Sequence, residues 1–166
     1  EDRDNLSFRR AIYAAQIDNM DQNIGRLIER LKKMTVYDNT LILFLSDNGC
    51  SAEPEREMFG YKFKENRIEN FRKWRNQSGR SSSQGLAWAN ASNTPFRKYK
   101  KWTHEGGIAT PLIAHWPKGI SAKGGLVHDP GHIVDVMTTC VDVSGASYPS
   151  QFKGGKIKPM EGQSLI

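Results

Sequence analysis

The sequence predicts an α/β fold in which a mostly parallel central sheet is flanked by helices. Three observations support this class: a long amphipathic stretch at residues 7–34, a continuous apolar run at residues 40–46, and a second helical pattern at residues 132–144. An apolar run without alternation is typical of a strand covered on both faces, as in a parallel sheet between layers of helices. The length of 166 residues suits about one domain.

The first predicted element is a long helix. Over residues 7–34, apolar side chains recur at steps of three and four residues, which makes one apolar stripe on a helix. The stripe includes Phe8, Ile12, Ile24, Leu27, Ile28 and Leu31. The pair Asp38-Asn39 then predicts a turn.

Two short buried strands and a second helix follow from the remaining apolar segments. Residues 40–46 predict the first strand, and residues 110–116 predict a second one that ends at Pro117. The pattern at residues 132–144 predicts a helix, and Gly145 supplies the residue that commonly ends one.

Residues 50–93 differ from the rest of the chain. They are polar, basic and rich in Ser, Asn and Gly, which predicts a long excursion with one short helix near residues 67–75. Regular structure is expected to resume near Thr94. Long loops within compact domains are usually functional or disordered. We therefore expect a single domain with a long excursion at about residues 50–93.

The net charge of +6 is concentrated in one part of the sequence. Between Lys62 and Lys101 the acidic residues are only Glu65 and Glu69. Such a stretch suits a nucleic acid, a sulfated glycan or another anion, and it equally suits a solvated basic surface. A basic polyanion-binding module is therefore one alternative function. Because no nucleic-acid-binding motif is visible, we do not expect a nucleic-acid partner.

Membrane and disulfide classes receive no support from the sequence. No apolar run approaches the roughly 18 residues that a membrane span needs. Cys50 and Cys140 are the only cysteines, and two cysteines define no disulfide framework.

The first motif with possible chemistry is Ser46-Asp47-Asn48-Gly49, directly after the first predicted strand. Ligands of open α/β sheets bind beyond the carboxyl ends of strands. Asp47 and Asn48 offer two oxygen donors there, and such hard donors suit Ca²⁺ or Mg²⁺. The alternative is an ordinary Asp-Asn-Gly turn.

The second motif places cations and a histidine before a glycine pair. Lys100 is a compact charge that can neutralise an oxyanion, and His104 can act as a general acid or base near neutral pH. Glu105 and the pair Gly106-Gly107 complete the motif, and the glycines allow close backbone approach. A basic surface segment with a glycine turn is the alternative.

Taken in order, these segments resemble the type I sulfatase (arylsulfatase) family of the alkaline-phosphatase-like superfamily. The resemblance is carried by the helix phrase at residues 13–27, by residues 38–49, by Lys100 five residues before Glu105-Gly-Gly, and by residues 110–119. Segments 131–140 and 161–165 are similar as well. The resemblance covers nearly the whole chain except residues 50–93, and it implies part of an alkaline-phosphatase-like sandwich.

The resemblance also implies an activity and roles for particular residues. Such enzymes hydrolyse sulfate esters with one calcium ion and a formylglycine nucleophile made from Cys or Ser. Asp47 and Asn48 match one pair of calcium ligands, and Lys100 matches the lysine that contacts the sulfate group. His104 occupies a variable position, so substrate contact and a structural role both remain open. A sulfated glycan is a possible substrate, and a secreted, periplasmic or lysosomal location is expected.

Departures from the family pattern are equally specific. The modification motif requires Cys or Ser, any residue, Pro or Ala, a small residue and then Arg. The segment Cys50-Ser-Ala-Glu-Pro54 has Glu and Pro at the last two places, and the segment that begins at Cys140 fails outright. The family's first Asp-Asp metal pair also has no counterpart here. We therefore expect residues 1–166 to form a single partial domain with a variable excursion at about 50–93, truncated at both ends. Such a chain lacks the nucleophile and is expected to be inactive alone. The closest alternative for its parent is a phosphate or phosphonate monoester hydrolase of the same superfamily.

Overall fold

The computed structural model of the chain describes residues 3–53 and 83–166. The chain folds as two compact units, Glu1–Trp116 and Pro117–Ile166. The short helix predicted near residues 67–75 lies outside the described residues.

The first unit begins with helix α1, Arg3–Lys33, which confirms the predicted helix and starts slightly before residue 7. A single 3-10 turn, Tyr37–Asn39, follows at the predicted turn. The amino-terminal half of α1 is fixed from the side by a later helix, since the Trp88 indole Nε1 donates to the Leu6 carbonyl at 2.9 Å.

The two predicted strands are present and pair with each other. Strand β1 spans Ile42–Leu45 and strand β2 spans Leu112–His115. They run antiparallel, with Ile42 opposite His115 and Leu45 opposite Leu112. The mostly parallel sheet is therefore not found among the described residues. An apolar run predicts that a strand will be covered, but it does not fix the direction of its neighbour.

The predicted burial of both strands is not met by the described residues alone. Phe44 of β1 is 44% exposed, and Ile113 of β2 is 59% exposed. The apolar runs that predict buried strands are thus partly exposed among the described residues.

Two helices of the first unit were not predicted. Helix α2, Gly85–Ser92, lies within the stretch expected to be an excursion, and helix α3, Glu105–Ile108, is a single turn through the glycine pair. Helix α2 is too short for a clear period, and its Asn and Ser residues are typical of loops. Its Ala89 is nonetheless completely buried.

The second unit contains the predicted helix near its start. Helix α4 spans Ile133–Ser144. A capping box begins it: the His132 Nδ1 accepts from the Val134 amide at 3.3 Å, and the Asp135 carboxylate accepts from the His132 amide at 2.7 Å. Gly145, with φ of 65°, ends it in the left-handed conformation, as predicted.

A small hairpin and a returning tail complete this unit. Strands β3, Gln151–Phe152, and β4, Gly155–Lys156, are antiparallel. The tail returns to α4, where the fully buried Thr139 hydroxyl accepts from the Leu165 amide at 3.0 Å. None of the helices within residues 3–53 and 83–166 is both long and apolar enough to cross a membrane.

Candidate active site

The two motifs singled out from the sequence lie on loops that are bonded to each other. The first loop follows β1 and carries Asp47. The Gly49 amide donates to the Gly107 carbonyl at 3.0 Å, and the Lys100 amide donates to the Cys50 carbonyl at 3.1 Å. The backbone of the Asp-Asn loop (residues 46–50) is therefore bonded to the lysine loop (residues 94–104) and to the start of the helix that follows it. In the sequence, 50 positions separate Cys50 from Lys100.

Three glycines allow close backbone approach here, one between the two loops and two between the lysine loop and the helix that follows it. A Cβ at Gly49 would overlap the Gly106 carbonyl oxygen. A Cβ at Gly106 would meet the Lys98 carbonyl, and one at Gly107 would meet the Trp102 carbonyl. The close backbone approach predicted for the glycine pair is confirmed. Because Gly49 has no side chain, its backbone likewise approaches the Gly106 carbonyl closely.

Asp47 and Asn48 present their oxygens at the end of β1. Asp47 is exposed and Asn48 is partly exposed. The Ser46 hydroxyl donates to the Asn48 carbonyl at 3.1 Å, which steadies the turn. Among described residues, neither the Asp47 nor the Asn48 side chain makes a hydrogen bond or an ion pair. The oxygens of both side chains are therefore available as ligands of the kind that a hard cation prefers.

A complete metal site is not formed by this part of the chain. Within residues 3–53 and 83–166, no group of three or more His, Cys, Asp or Glu side chains is placed to hold a metal ion. The chemistry of Asp47 and Asn48 fits two ligands of a calcium site. Calcium takes 6–8 oxygens, so the remaining ligands have to come from other groups.

Lys100 faces a carboxylate that sequence reasoning missed. The Lys100 Nζ lies 3.8 Å from Glu53 Oε2, and the Lys101 Nζ lies 3.3 Å from Glu53 Oε1. Hydrogen bonds from Lys101 and Ser51 hold the pKa of the Glu53 carboxyl below its ordinary value. No motif marks Glu53, because its pairing depends on contact between distant loops. The only local pattern that includes Glu53 is the segment that begins three residues earlier at Cys50.

Asn93 is a second residue that no sequence motif singles out. Its Oδ1 accepts from the Cys50 amide at 2.9 Å, and its Nδ2 donates to the Lys98 carbonyl at 3.1 Å. One side-chain amide thus bridges the loop after β1 and the lysine loop. Because Asn93 directly follows α2, that helix fixes the position of both loops.

Helix α1 is linked to the site through side-chain contacts near Cys50. The Arg10 guanidinium donates to Gln84 Oε1 at 2.7 Å and lies 5.0 Å from the centre of the Tyr13 ring. The Gln84 amide nitrogen contacts the Cys50 sulfur. Partial burial, followed by the nearby Cys50, raises the pKa of Tyr13. Cys50 is therefore enclosed by polar groups of α1 and of the segment before α2.

His104 lies in the lysine loop but its side chain is at the surface. It precedes α3, and its carbonyl accepts from the Gly107 amide at 2.7 Å. Its ring meets Trp102 edge-on at 5.9 Å between centroids. His104 therefore shares a loop with Lys100, while its catalytic role stays a prediction.

Comparison with known proteins connects this chain to one family. The family model described as Sulfatase matches residues 4–146. The chain is 34% identical over 161 residues to an arylsulfatase from Klebsiella aerogenes, a match covering 93% of this chain and 33% of that protein. It is 30% identical over 142 residues to the human (Homo sapiens) N-acetylgalactosamine-6-sulfatase, covering 86% of this chain and 21% of that protein.

A further relative extends the range of organisms. An uncharacterized sulfatase of Schizosaccharomyces pombe is 30% identical over 171 residues, covering 93% of this chain and 28% of that protein. The chain thus spans a third or less of the length of these three relatives.

Proposed function

This chain belongs to the sulfatase family, and we propose that the whole protein hydrolyses sulfate esters at a site that includes Asp47, Asn48 and Lys100. The observation that carries the proposal is the bonding of the two loops. The amides of Gly49 and Lys100 donate across the gap to Gly107 and Cys50. An oxygen-rich strand end and a lysine loop are thereby held side by side. The proposed fold of the whole protein is an alkaline-phosphatase-like sandwich to which β1 and β2 contribute.

Asp47 and Asn48 would hold the calcium ion. Both are uncommitted oxygen donors at a strand end, and the backbone beneath them is fixed by Gly49. When bound, calcium supplies positive charge that polarises the sulfate group, and formylglycine supplies the nucleophile. We place the formylglycine precursor and the other calcium ligands outside these 166 residues, because the segments at Cys50 and Cys140 do not fit the modification motif.

Lys100 would bind the sulfate group directly. An ammonium beside a sulfate oxygen stabilises the negative charge that develops as the ester bond breaks. The Glu53 carboxylate keeps this ammonium close to the site when substrate is absent, since their atoms lie 3.8 Å apart. The incoming sulfate then competes with Glu53 for the same cation.

The proposed substrate class is a sulfated glycan. Support comes from the names of relatives, which include N-acetylgalactosamine-6-sulfatases of human and dog at 30% and 29% identity. A surface of lysines suits a polyanionic substrate. The proposal includes a secreted, periplasmic or lysosomal location, which immunolocalisation of the whole protein would check.

The test is an assay of the purified whole protein with 4-nitrophenyl sulfate and 4-nitrophenyl phosphate, with calcium and after its removal by a chelator. We expect turnover of the sulfate ester, its loss on calcium removal and its return when calcium is restored. Greater turnover of the phosphate ester would instead favour the phosphate or phosphonate monoester hydrolases. An unmodified Ser or Thr at the nucleophile position would have the same meaning.

A further inference from the structure

The lysine loop carries an exposed aromatic cluster that the proposed chemistry does not use. Trp102 is 43% exposed. The Lys98 Nζ lies 4.4 Å from the centre of its ring. The rings of His104 and Tyr99 meet the indole edge-on at 5.9 and 6.5 Å between centroids. A partly exposed indole is thus held at the surface with a cation over one face of its ring.

The backbone holds this cluster in place before any ligand arrives. The Trp102 amide donates to the Tyr99 carbonyl at 3.2 Å, and the Gly106 amide donates to the Arg97 carbonyl at 2.9 Å. The indole therefore rests on a loop that is bonded to the start of α3. A ligand that stacks on a preorganised ring loses less free energy to ordering than one that must first arrange it.

Two residues of the loop adopt a conformation that side chains usually avoid. Lys98 has φ of 70° and Lys101 has φ of 83°, which is uncommon for residues other than glycine. Such conformations persist only where surrounding contacts fix them, and they cluster at ligand-binding sites. One of these two residues, Lys98, also has its ammonium over the indole ring.

The chemistry of the cluster defines the ligand that it suits. The face of an indole carries negative charge density, which attracts cations and the polarised C–H bonds of a sugar ring. The Lys98 ammonium over one face of the ring attracts an anionic substituent. A ligand with an apolar ring face and negative groups at its edge satisfies both, and a sulfated sugar has this form.

The cluster also lies beside the proposed catalytic lysine. Trp102 is two residues from Lys100, so their Cα atoms lie within about 7 Å of each other. Lys98 lies two residues before Lys100 in the sequence, so the Cα atoms of these two lysines are equally close. The backbone of the proposed sulfate-binding lysine thus lies next to the backbone that carries the indole.

We infer that Trp102 and Lys98 form a sugar-binding subsite, with His104 at its edge, for the glycan part of a sulfated substrate. The inference rests on the proposed function and assigns part of its substrate specificity. The pyranose ring stacks on the indole face opposite Lys98, and Lys98 pairs with a sulfate or carboxylate at the edge of the glycan.

The test uses the whole protein and a disaccharide that carries N-acetylgalactosamine 6-sulfate. Trp102→Ala is expected to raise the KM for this substrate about ten-fold, which is the scale of one aromatic stacking contact. The kcat and the inhibition constant of inorganic sulfate, which has no sugar ring, stay within about two-fold of the wild-type values. Trp102→Tyr keeps an aromatic face and retains most of the affinity, whereas Trp102→Leu does not.

A matched pair of lysine variants tests the cation. Lys98→Gln is expected to raise the KM for the disaccharide about three- to ten-fold, the scale of an exposed cation contact. Lys32→Gln is the control, because the Lys32 Nζ also lies over an aromatic ring, at 5.4 Å from the centre of Tyr37. Lys32→Gln leaves the KM unchanged if the effect belongs to the subsite. Equal effects of both variants would overturn the role of Lys98.

Each contrary outcome has a separate meaning. If the wild-type protein hydrolyses the disaccharide and Trp102→Ala leaves the KM unchanged, the subsite is wrong while the proposed function stands. A parallel change in KM, kcat and sulfate inhibition also overturns the subsite, because it indicates a structural role. Single-stranded RNA that competes through Trp102, without any effect of Trp102→Ala on the disaccharide, would identify a nucleic-acid surface instead. If the wild type hydrolyses no sulfate ester, the proposed function fails, and calorimetric binding of the disaccharide to wild type and Trp102→Ala still decides the subsite.

Discussion

At the scale of single residues, the proposed site divides into groups assigned to a cation and groups assigned to an anion. Asp47 and Asn48 have side chains without partners among the described residues, and Lys100 is paired with Glu53. This difference separates two effects of mutation. Loss of a metal ligand should remove the cation, whereas loss of the lysine should leave the cation bound.

Asp47→Ala in the whole protein is expected to abolish sulfate ester hydrolysis and to lower the calcium content. Lys100→Ala is expected to reduce kcat by about 10²–10³-fold, the scale for one group that stabilises transition-state charge, with calcium retained. Steady-state kinetics and elemental analysis of the same preparations measure both effects. Full activity in both variants would show that the roles assigned from family resemblance are wrong.

Glu53 provides a prediction about the resting state of the site. Glu53→Gln removes the carboxylate that competes with sulfate for Lys100, so inorganic sulfate should inhibit about two- to five-fold more tightly. Glu29→Gln is the control, because Glu29 pairs with Lys32 at 3.0 Å on the surface of α1. Weaker inhibition in Glu53→Gln would mean that the carboxylate positions the lysine more than it competes.

At the scale of elements, the sequence predicted the helices and strands that have a clear apolar pattern. Helices α1 and α4 have clear apolar faces, and β1 and β2 are apolar runs, so all four were found. Helices α2 and α3 were missed because one is short and the other runs through two glycines. The direction of strand pairing was also missed, since it depends on contacts that no local pattern contains.

The candidate site was predictable to a similar extent. Motif order brought Asp47, Asn48 and Lys100 into one hypothesis, and the structure places their loops in contact. Glu53 and Asn93 were missed because each acts between loops that are distant in the sequence. A pairing of this kind has no local signature until the fold is known.

The contact between the loops predicts a large effect of one added methyl group. Gly49→Ala would place a Cβ against the Gly106 carbonyl and is expected to destabilise the protein by about 2–4 kcal/mol. Gly25→Ala is the matched control, because a Cβ there meets nothing within 4 Å. In the middle of α1 this change should be neutral or stabilising by up to about 1 kcal/mol. Denaturant unfolding of both variants measures the difference, and similar stabilities would contradict the packing described.

The capping box of α4 predicts a dependence of stability on pH. Backbone hydrogen bonds from Gln163 and His132 hold the pKa of Asp135 below its ordinary value of 3.8. Because the folded pKa is the lower one, the stabilisation is complete above the ordinary value and is lost as the pH falls through the folded value. Thermal unfolding of wild type and Asp135→Asn should therefore differ most above about pH 5 and converge as the pH falls through the lowered pKa of the folded protein. A constant difference across this range would show that the carboxylate charge is not responsible.

At the scale of the whole molecule, the described residues leave apolar surface open. Phe44, Leu112 and Ile113 of the sheet are 44%, 40% and 59% exposed. Large exposed apolar side chains on neighbouring strands are typical of surfaces that other groups cover. This agrees with a chain that spans a third or less of the length of its relatives.

The 166 residues expressed alone are accordingly expected to be inactive. Two calcium ligands fall short of the 6–8 that the ion prefers, and no segment fits the nucleophile motif. An assay with 4-nitrophenyl sulfate and a calcium titration of this chain check the expectation. Turnover by the isolated chain would show that its own residues suffice for catalysis.

The bridge between Cys50 and Gln84 has a consequence for engineering. These residues contact each other through their side chains, although 34 positions separate them in the sequence. The contact couples the loop after β1 to the segment before α2. A designer who replaces either side chain therefore alters both segments together.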